Sequence, residues 1–325
     1  YNHNRLIMQR LWAVVGVAAL AVASLALQSR YSESEAVKPS SSVSSQSAIV
    51  NEEDFIGAAI ASLRPEVTDP ACHSKWHDVG RSIGSSGYTF PQLVLYQNYD
   101  GCNWGLVHGF VEGAMMGATP TEFTSKAATV CGTDLTQRES VGNCLHGTGH
   151  AAWQASASEL RESLNLCESL QVGSSDCADG VYMSLSDAVE RGKWERDTLD
   201  ICEETTNQEF RNKCYRYSGH IWSRALNGDA EAMLRNCPEG ESECGLGVGR
   251  ALAYRGKTAS EVILNCRLAP NDSVRDGCAQ GVSEWFALIR QTGQGDGDPS
   301  SVCEEMGPAL YEEFREPCEN GEKQR

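Results

Sequence analysis

Histidine is scarce in this chain, seven in 325 residues, and only His3 lies away from a recurring cysteine. His108, His150 and His220 each stand six residues after a cysteine: Cys102, Cys144 and Cys214. The same offset gives Met183 after Cys177, Arg250 after Cys244 and Glu284 after Cys278. A repeated frame therefore presents a varying side chain at one fixed slot. His146 and His150 are four apart, as are His73 and His77. On a helix that spacing puts two imidazoles on one face, one turn apart, where they can share a metal. The expected ligand set is His108, His146, His150 and His220. Glu112 is expected as a carboxylate ligand, or as a base taking a proton from metal-bound water. His73 and His77 close the site from the N-terminal side. Zinc, copper or iron suits imidazole-rich ligation. Residue 147 is glycine where a zinc protease of this spacing needs glutamate, so the hydrolase pattern is incomplete.

Two plainer readings stand beside this one. A histidine in a repeat helix can hydrogen-bond a neighbouring backbone carbonyl and set the register. Met183, Arg250 and Glu284 show that the slot is not restricted to metal ligands. The polar positions can also line a groove for a peptide.

Positioning these residues requires a repeat. The cysteines fall into two interleaved ladders, each stepping by roughly 35 residues, the size of a helix–turn–helix unit. One ladder is Cys131, Cys167, Cys202, Cys237, Cys266 and Cys303; the other is Cys102, Cys144, Cys177, Cys214, Cys244, Cys278 and Cys318. Helical spacing of apolar residues marks Glu159–Cys167, Ala230–Cys237 and Ala259–Cys266. It also marks Cys144–Gln154, Cys214–Leu226, Cys244–Tyr254 and Cys278–Ile289. No stretch alternates with period two. The expected fold is all-α, an α-solenoid-like array of helical hairpins stapled by local disulfides, after an N-terminal transmembrane or signal segment.

Local pairing uses every cysteine: Cys72–Cys102, Cys131–Cys144, Cys167–Cys177, Cys202–Cys214, Cys237–Cys244, Cys266–Cys278 and Cys303–Cys318. Closing loops of this size is worth about 2–4 kcal/mol each. A glycine stands three residues after six of the seven cysteines of the second ladder, the exception being Tyr217 after Cys214. Glycine is about 1 kcal/mol worse than alanine inside a helix, so its recurrence points to close helix contact.

Composition sets the remaining bounds. The net charge is −17, which excludes a phosphate backbone as the natural partner; no nucleic acid is expected. Arg5 and Arg10 precede an uncharged run, Leu11–Leu27, that reads as a signal-anchor, with a cleaved signal peptide as the competitor. Residues 1–10 are then a cytoplasmic flank and 28–51 a serine-rich linker. Residues 52–325 are the repeat domain, expected to be cut short at its C-terminus. The main domain is placed outside the cytoplasm, where disulfides persist, or secreted if the signal is cleaved. The partners are the membrane, through residues 11–27, and an envelope protein or peptide. The functional expectation is a membrane-tethered repeat protein with a histidine-lined transition-metal or metal-assisted catalytic site. The alternative is a protein- or peptide-binding envelope scaffold whose histidines are structural.

Overall fold

The inter-cysteine segments that carried helical spacing are largely helical in the computed structural model. It describes residues 52–63, 72–96, 102, 104–132, 138–170, 172–256, 258–291 and 302–323. Contacts divide the chain into Tyr1–Ile49 and Val50–Arg325, and all described residues belong to the second unit. No strand occurs among them.

The helices are α1 (Glu52–Leu63), α2 (Cys72–Ser85), α3 (Phe90–Leu93), α4 (Gly105–Met115), α5 (Phe123–Cys131), α6 (Arg138–Ala155) and α7 (Leu160–Glu168). They continue as α8 (Ser174–Glu190), α9 (Gln208–Arg216), α10 (Ser218–Ser223), α11 (Ala230–Arg235) and α12 (Ser242–Arg255). The last are α13 (Ala259–Ile263), α14 (Asp272–Gln291) and α15 (Pro308–Lys323). Short 3₁₀ turns fill Ile201–Glu204, Leu264–Leu268 and Glu304–Met306.

One row of helices runs through the unit: α2, α4, α6, α8, the α9–α10 pair, α12, α14 and α15, each packed on the next. The shorter segments α5, α7, α11 and α13 connect and cover this row. All fourteen cysteines are paired, in the seven local combinations that their spacing suggests, with Cα–Cα distances of 5.5 to 5.9 Å. From Cys131 onward, each disulfide fastens a connecting segment to the next helix of the row. The sulfurs are buried, as are the large core side chains Trp76, Phe110, Tyr182, Phe210 and Trp222.

Glycine sets the spacing of the row. A Cβ on Gly180, three residues after its cysteine, would lie 2.0 Å from the His146 carbonyl of the preceding helix. A Cβ on Gly149, five residues after its cysteine, would lie 2.0 Å from the Cys177 carbonyl of the following one. Neither position has room for a side chain. At roughly 100° per residue these two positions point about 160° apart, one at each neighbour. The second, sixth and tenth positions fall between them. The polar faces of successive helices therefore share one edge of the row.

Two details differ from the sequence expectation. Most row helices begin before their cysteines, α6 at Arg138 and α14 at Asp272, whereas α4 begins at Gly105, after Cys102. The helix expected over Cys214–Leu226 breaks at Tyr217, whose backbone (φ −107°, ψ 0°) separates α9 from α10. Tyr217 is the residue standing where the other repeats have glycine. Its ring takes the place of a bare backbone contact, and its hydroxyl donates to Asp179 Oδ2 at 3.3 Å.

The membrane tether is corrected. No helix among the described residues is long and apolar enough to cross a membrane. The longest, α14, has 20 residues but carries Asp272, Arg275, Asp276 and Glu284. The expected span Leu11–Leu27 and the linker 28–51 lie outside the described residues. The membrane as partner and a membrane-anchored localisation fall with the tether, and so does the tethered form of the expected function.

Candidate metal centre

The shared polar edge is richest in imidazole where α2, α4, α6 and α8 follow one another. His108 on α4 meets His146 and His150 on α6, with ring centroids 4.5 and 5.4 Å away; His146 and His150 are 5.0 Å apart. One nitrogen from each of the three can be chosen so that all lie within 4.8 Å of one another. Glycine makes this approach possible: a Cβ on Gly147 of α6 would lie 3.2 Å from the His108 Cα and 2.9 Å from the Val111 Cβ of α4.

The hydrogen bonding is lopsided. His146 Nδ1 donates to Asp179 Oδ2 on α8 at 2.9 Å, and His150 Nδ1 lies 2.7 Å from Ser184 Oγ on the same helix. Each bond fixes a ring through its Nδ1. His150 Nε2 and both nitrogens of His108 are buried without a hydrogen-bond partner. His108 is only 4% exposed and His150 7%. A buried polar group without a partner forfeits about 1–3 kcal/mol, so such groups are normally satisfied. Imidazoles whose far nitrogen is held by a carboxylate or hydroxyl are the usual form of a metal-ligating histidine.

Electrostatics favour the ligating form. Burial holds His108 and His150 well below the ordinary histidine value, and the surrounding histidines lower them further. Neutral imidazole is the species that binds metal. Burial also raises Asp179, but the hydrogen bond from His146 and the charges of Lys213 and Arg216 outweigh it and keep the carboxylate ionised.

The other sequence candidates are placed as follows. His77 accepts from Arg81 Nη2 at Nδ1 (3.3 Å), and its Nε2 lies 3.4 Å from Glu112 Oε1. Burial, then His73 and Arg81, pushes His77 down to about 3. Glu112 is buried and takes two hydrogen bonds from Arg81, at 3.0 and 2.8 Å. Burial raises its carboxyl despite that guanidinium. His73 donates from Nδ1 to the Cys102 carbonyl at 3.1 Å, with its ring 5.5 Å from His108. His220 is not brought to the cluster. It bonds Glu190 Oε1 at 2.8 Å and packs against Tyr254.

Sequence reasoning gave no role to Met183, Asp179, Ser184 or Arg81. Asp179 and Met183 occupy on α8 the positions that His146 and His150 occupy on α6, which is the signal that could have found them. Ser184 and Arg81 carry no such mark. A second grouping, Cys303, Cys318 and Glu322, has both sulfurs locked in a disulfide and offers no thiolate. The histidine cluster is thus able to coordinate a metal ion. No protein-family model, curated protein or solved structure matches this chain.

Proposed function

We propose that this chain is a non-catalytic helical-repeat scaffold that holds one transition-metal ion, zinc, copper or iron, on His108, His146 and His150. The observation that carries the reading is the set of buried, unpartnered nitrogens on His108 and His150, with one nitrogen of each of His108, His146 and His150 within 4.8 Å of the others. Asp179 and Ser184 orient two of the three rings. His73 and His77 close the N-terminal side, and Glu112 serves as the counter-charge of Arg81 rather than as a base.

Metal content tests this directly. Metal-stripped protein, equilibrated with zinc, copper and iron salts and then desalted, should retain one equivalent. His108→Ala and His150→Ala should each retain none. A protein that takes up no metal from any of the three salts overturns the reading.

One observation favours a scaffold with purely structural histidines. His146, His150 and His220 each bond at Nδ1 to a neighbouring row helix, through Asp179, Ser184 and Glu190. Under that reading, equilibration with metal leaves the melting temperature unchanged.

A further inference from the structure

Met183 occupies on α8 the slot that His150 fills on α6, and its thioether reaches the histidine cluster. Its Sδ lies 3.3 Å from His146 Nε2. The Nδ1–H of His146 is committed to Asp179. In the neutral ring, Nε2 therefore carries a lone pair, and the thioether facing it offers only lone pairs. Two donor atoms of this kind gain nothing from each other, but they gain from a cation that both can touch. With metal–nitrogen distances of about 2.0 Å and metal–sulfur of about 2.3 Å, adjacent ligand atoms of a tetrahedral site are roughly 3.5 Å apart. The observed separation is close to that.

The geometry points to Met183 as the fourth ligand of a His108–His146–His150–Met183 site selective for copper(I). This rests on the metal-binding reading above and adds the identity of the ion. Three neutral imidazoles and a thioether bring no charge. Neither nearby carboxylate is itself a ligand: Asp179 bonds the outer nitrogen of His146, and Glu112 pairs with Arg81. Desolvation of an ion scales with the square of its charge, so a buried, uncharged ligand set tolerates a monovalent cation far better than a divalent one. Imidazole suits zinc, copper and iron alike, so the thioether decides: it is a soft ligand that selects copper(I).

The test uses the full chain with its disulfides intact, stripped of metal. Ascorbate serves as the reductant, and a chromophoric copper(I) chelator competes for the ion. Zinc(II) and iron(II) are titrated in parallel. The expected result is one copper(I) held more tightly than either divalent ion, with a sulfur scatterer in the copper X-ray absorption spectrum. Met183→Leu should remove that scatterer and weaken copper(I) binding by on the order of tenfold or more, leaving zinc binding unchanged. The wild-type spectrum stands as a check whether or not the variant folds. Zinc bound in preference to copper(I), or a copper spectrum without sulfur, overturns the copper(I) site while leaving a metal site in place. Uptake of no metal at all overturns both.

Discussion

The two ends of the helix row use the same slots in opposite ways. At the N-terminal end, the sixth positions of α4 and α6 carry His108 and His150, whose inward nitrogens have no protein partner. At the C-terminal end, the equivalent positions on α12 and α14 carry Arg250 and Glu284, which close on each other. Arg250 Nε donates to Glu284 Oε2 at 2.9 Å, Gln280 donates to Oε1 at 3.1 Å, and Arg216 approaches to 3.8 Å. One scaffold thus holds a pair, Arg250 and Glu284, that satisfies itself and a set of bases that does not. Unmet donor capacity, rather than the presence of histidine, is what distinguishes a site from a structural contact.

The largest expected effect strikes both ends alike, and only their readouts differ. Gly109→Ala and Gly249→Ala each drive a Cβ into the carbonyl of a neighbouring helix, at 1.8 Å from His77 O and 2.1 Å from Cys278 O. Each should destabilise by about 3 kcal/mol, the upper range for overpacking. Thermal unfolding measures that loss. Metal uptake should disappear in the first variant and persist in the second; loss in both would dissolve the distinction between the two ends.

Emptying the slots should give effects of opposite sign. Glu284→Ala strands Arg250 and Arg216 and should destabilise by about 2–3 kcal/mol, less than for a fully buried pair because Arg250 is partly exposed. His108→Leu removes a buried, unpartnered imidazole and should stabilise the metal-free protein by about 1 kcal/mol while abolishing metal uptake. Denaturant midpoints of the two variants make the comparison. A destabilised His108→Leu would mean that the imidazole is already satisfied.

Acid should separate the ends more gently. In the metal-free protein His77, His108 and His150 have lowered values, whereas in the unfolded chain they take protons near the ordinary value of about 6.5. Below that pH the unfolded state binds more protons, so stability is fully present above it and is lost as acid is added. For His77 the loss continues down to about 3. Each such histidine contributes roughly 1.4 kcal/mol per pH unit. No histidine lies beyond His220. Hydrogen exchange at pH 7 and pH 5 should therefore show opening in α4–α8 before α12–α14, and uniform opening would contradict this.

Much of the architecture was legible because cysteine and glycine report backbone geometry directly. A local disulfide needs its two Cα atoms close together, so the short loops from Cys131–Cys144 to Cys303–Cys318 announced their own pairing. Gly180, Gly247 and Gly281 announced where helices touch. The site was legible only in part. Spacing put His146 and His150 on one face, but which nitrogens remain unpaired depends on Asp179 and Ser184, a helix away in sequence. His220 shares the slot of His108 and His150 yet bonds Glu190, because its neighbours differ in type and not in position. Met183 was counted as a sign that the slot is not restricted to metal ligands, although a thioether can itself bind a soft metal. The tether at Leu11–Leu27 was read from an uncharged run and the arginines before it; that run lies outside the described residues, and no described helix is long and apolar enough to span a membrane.

The bare glycine contacts carry one more consequence. Where bare peptide backbones set the pitch of the row, as at Gly149, Gly180, Gly249 and Gly281, a residue can be exchanged on one rung without shifting the rungs above and below. Imidazole, thioether, guanidinium and carboxylate have all been seated at the same height on this ladder. Its chemistry is therefore decided by which adjacent rungs are filled together.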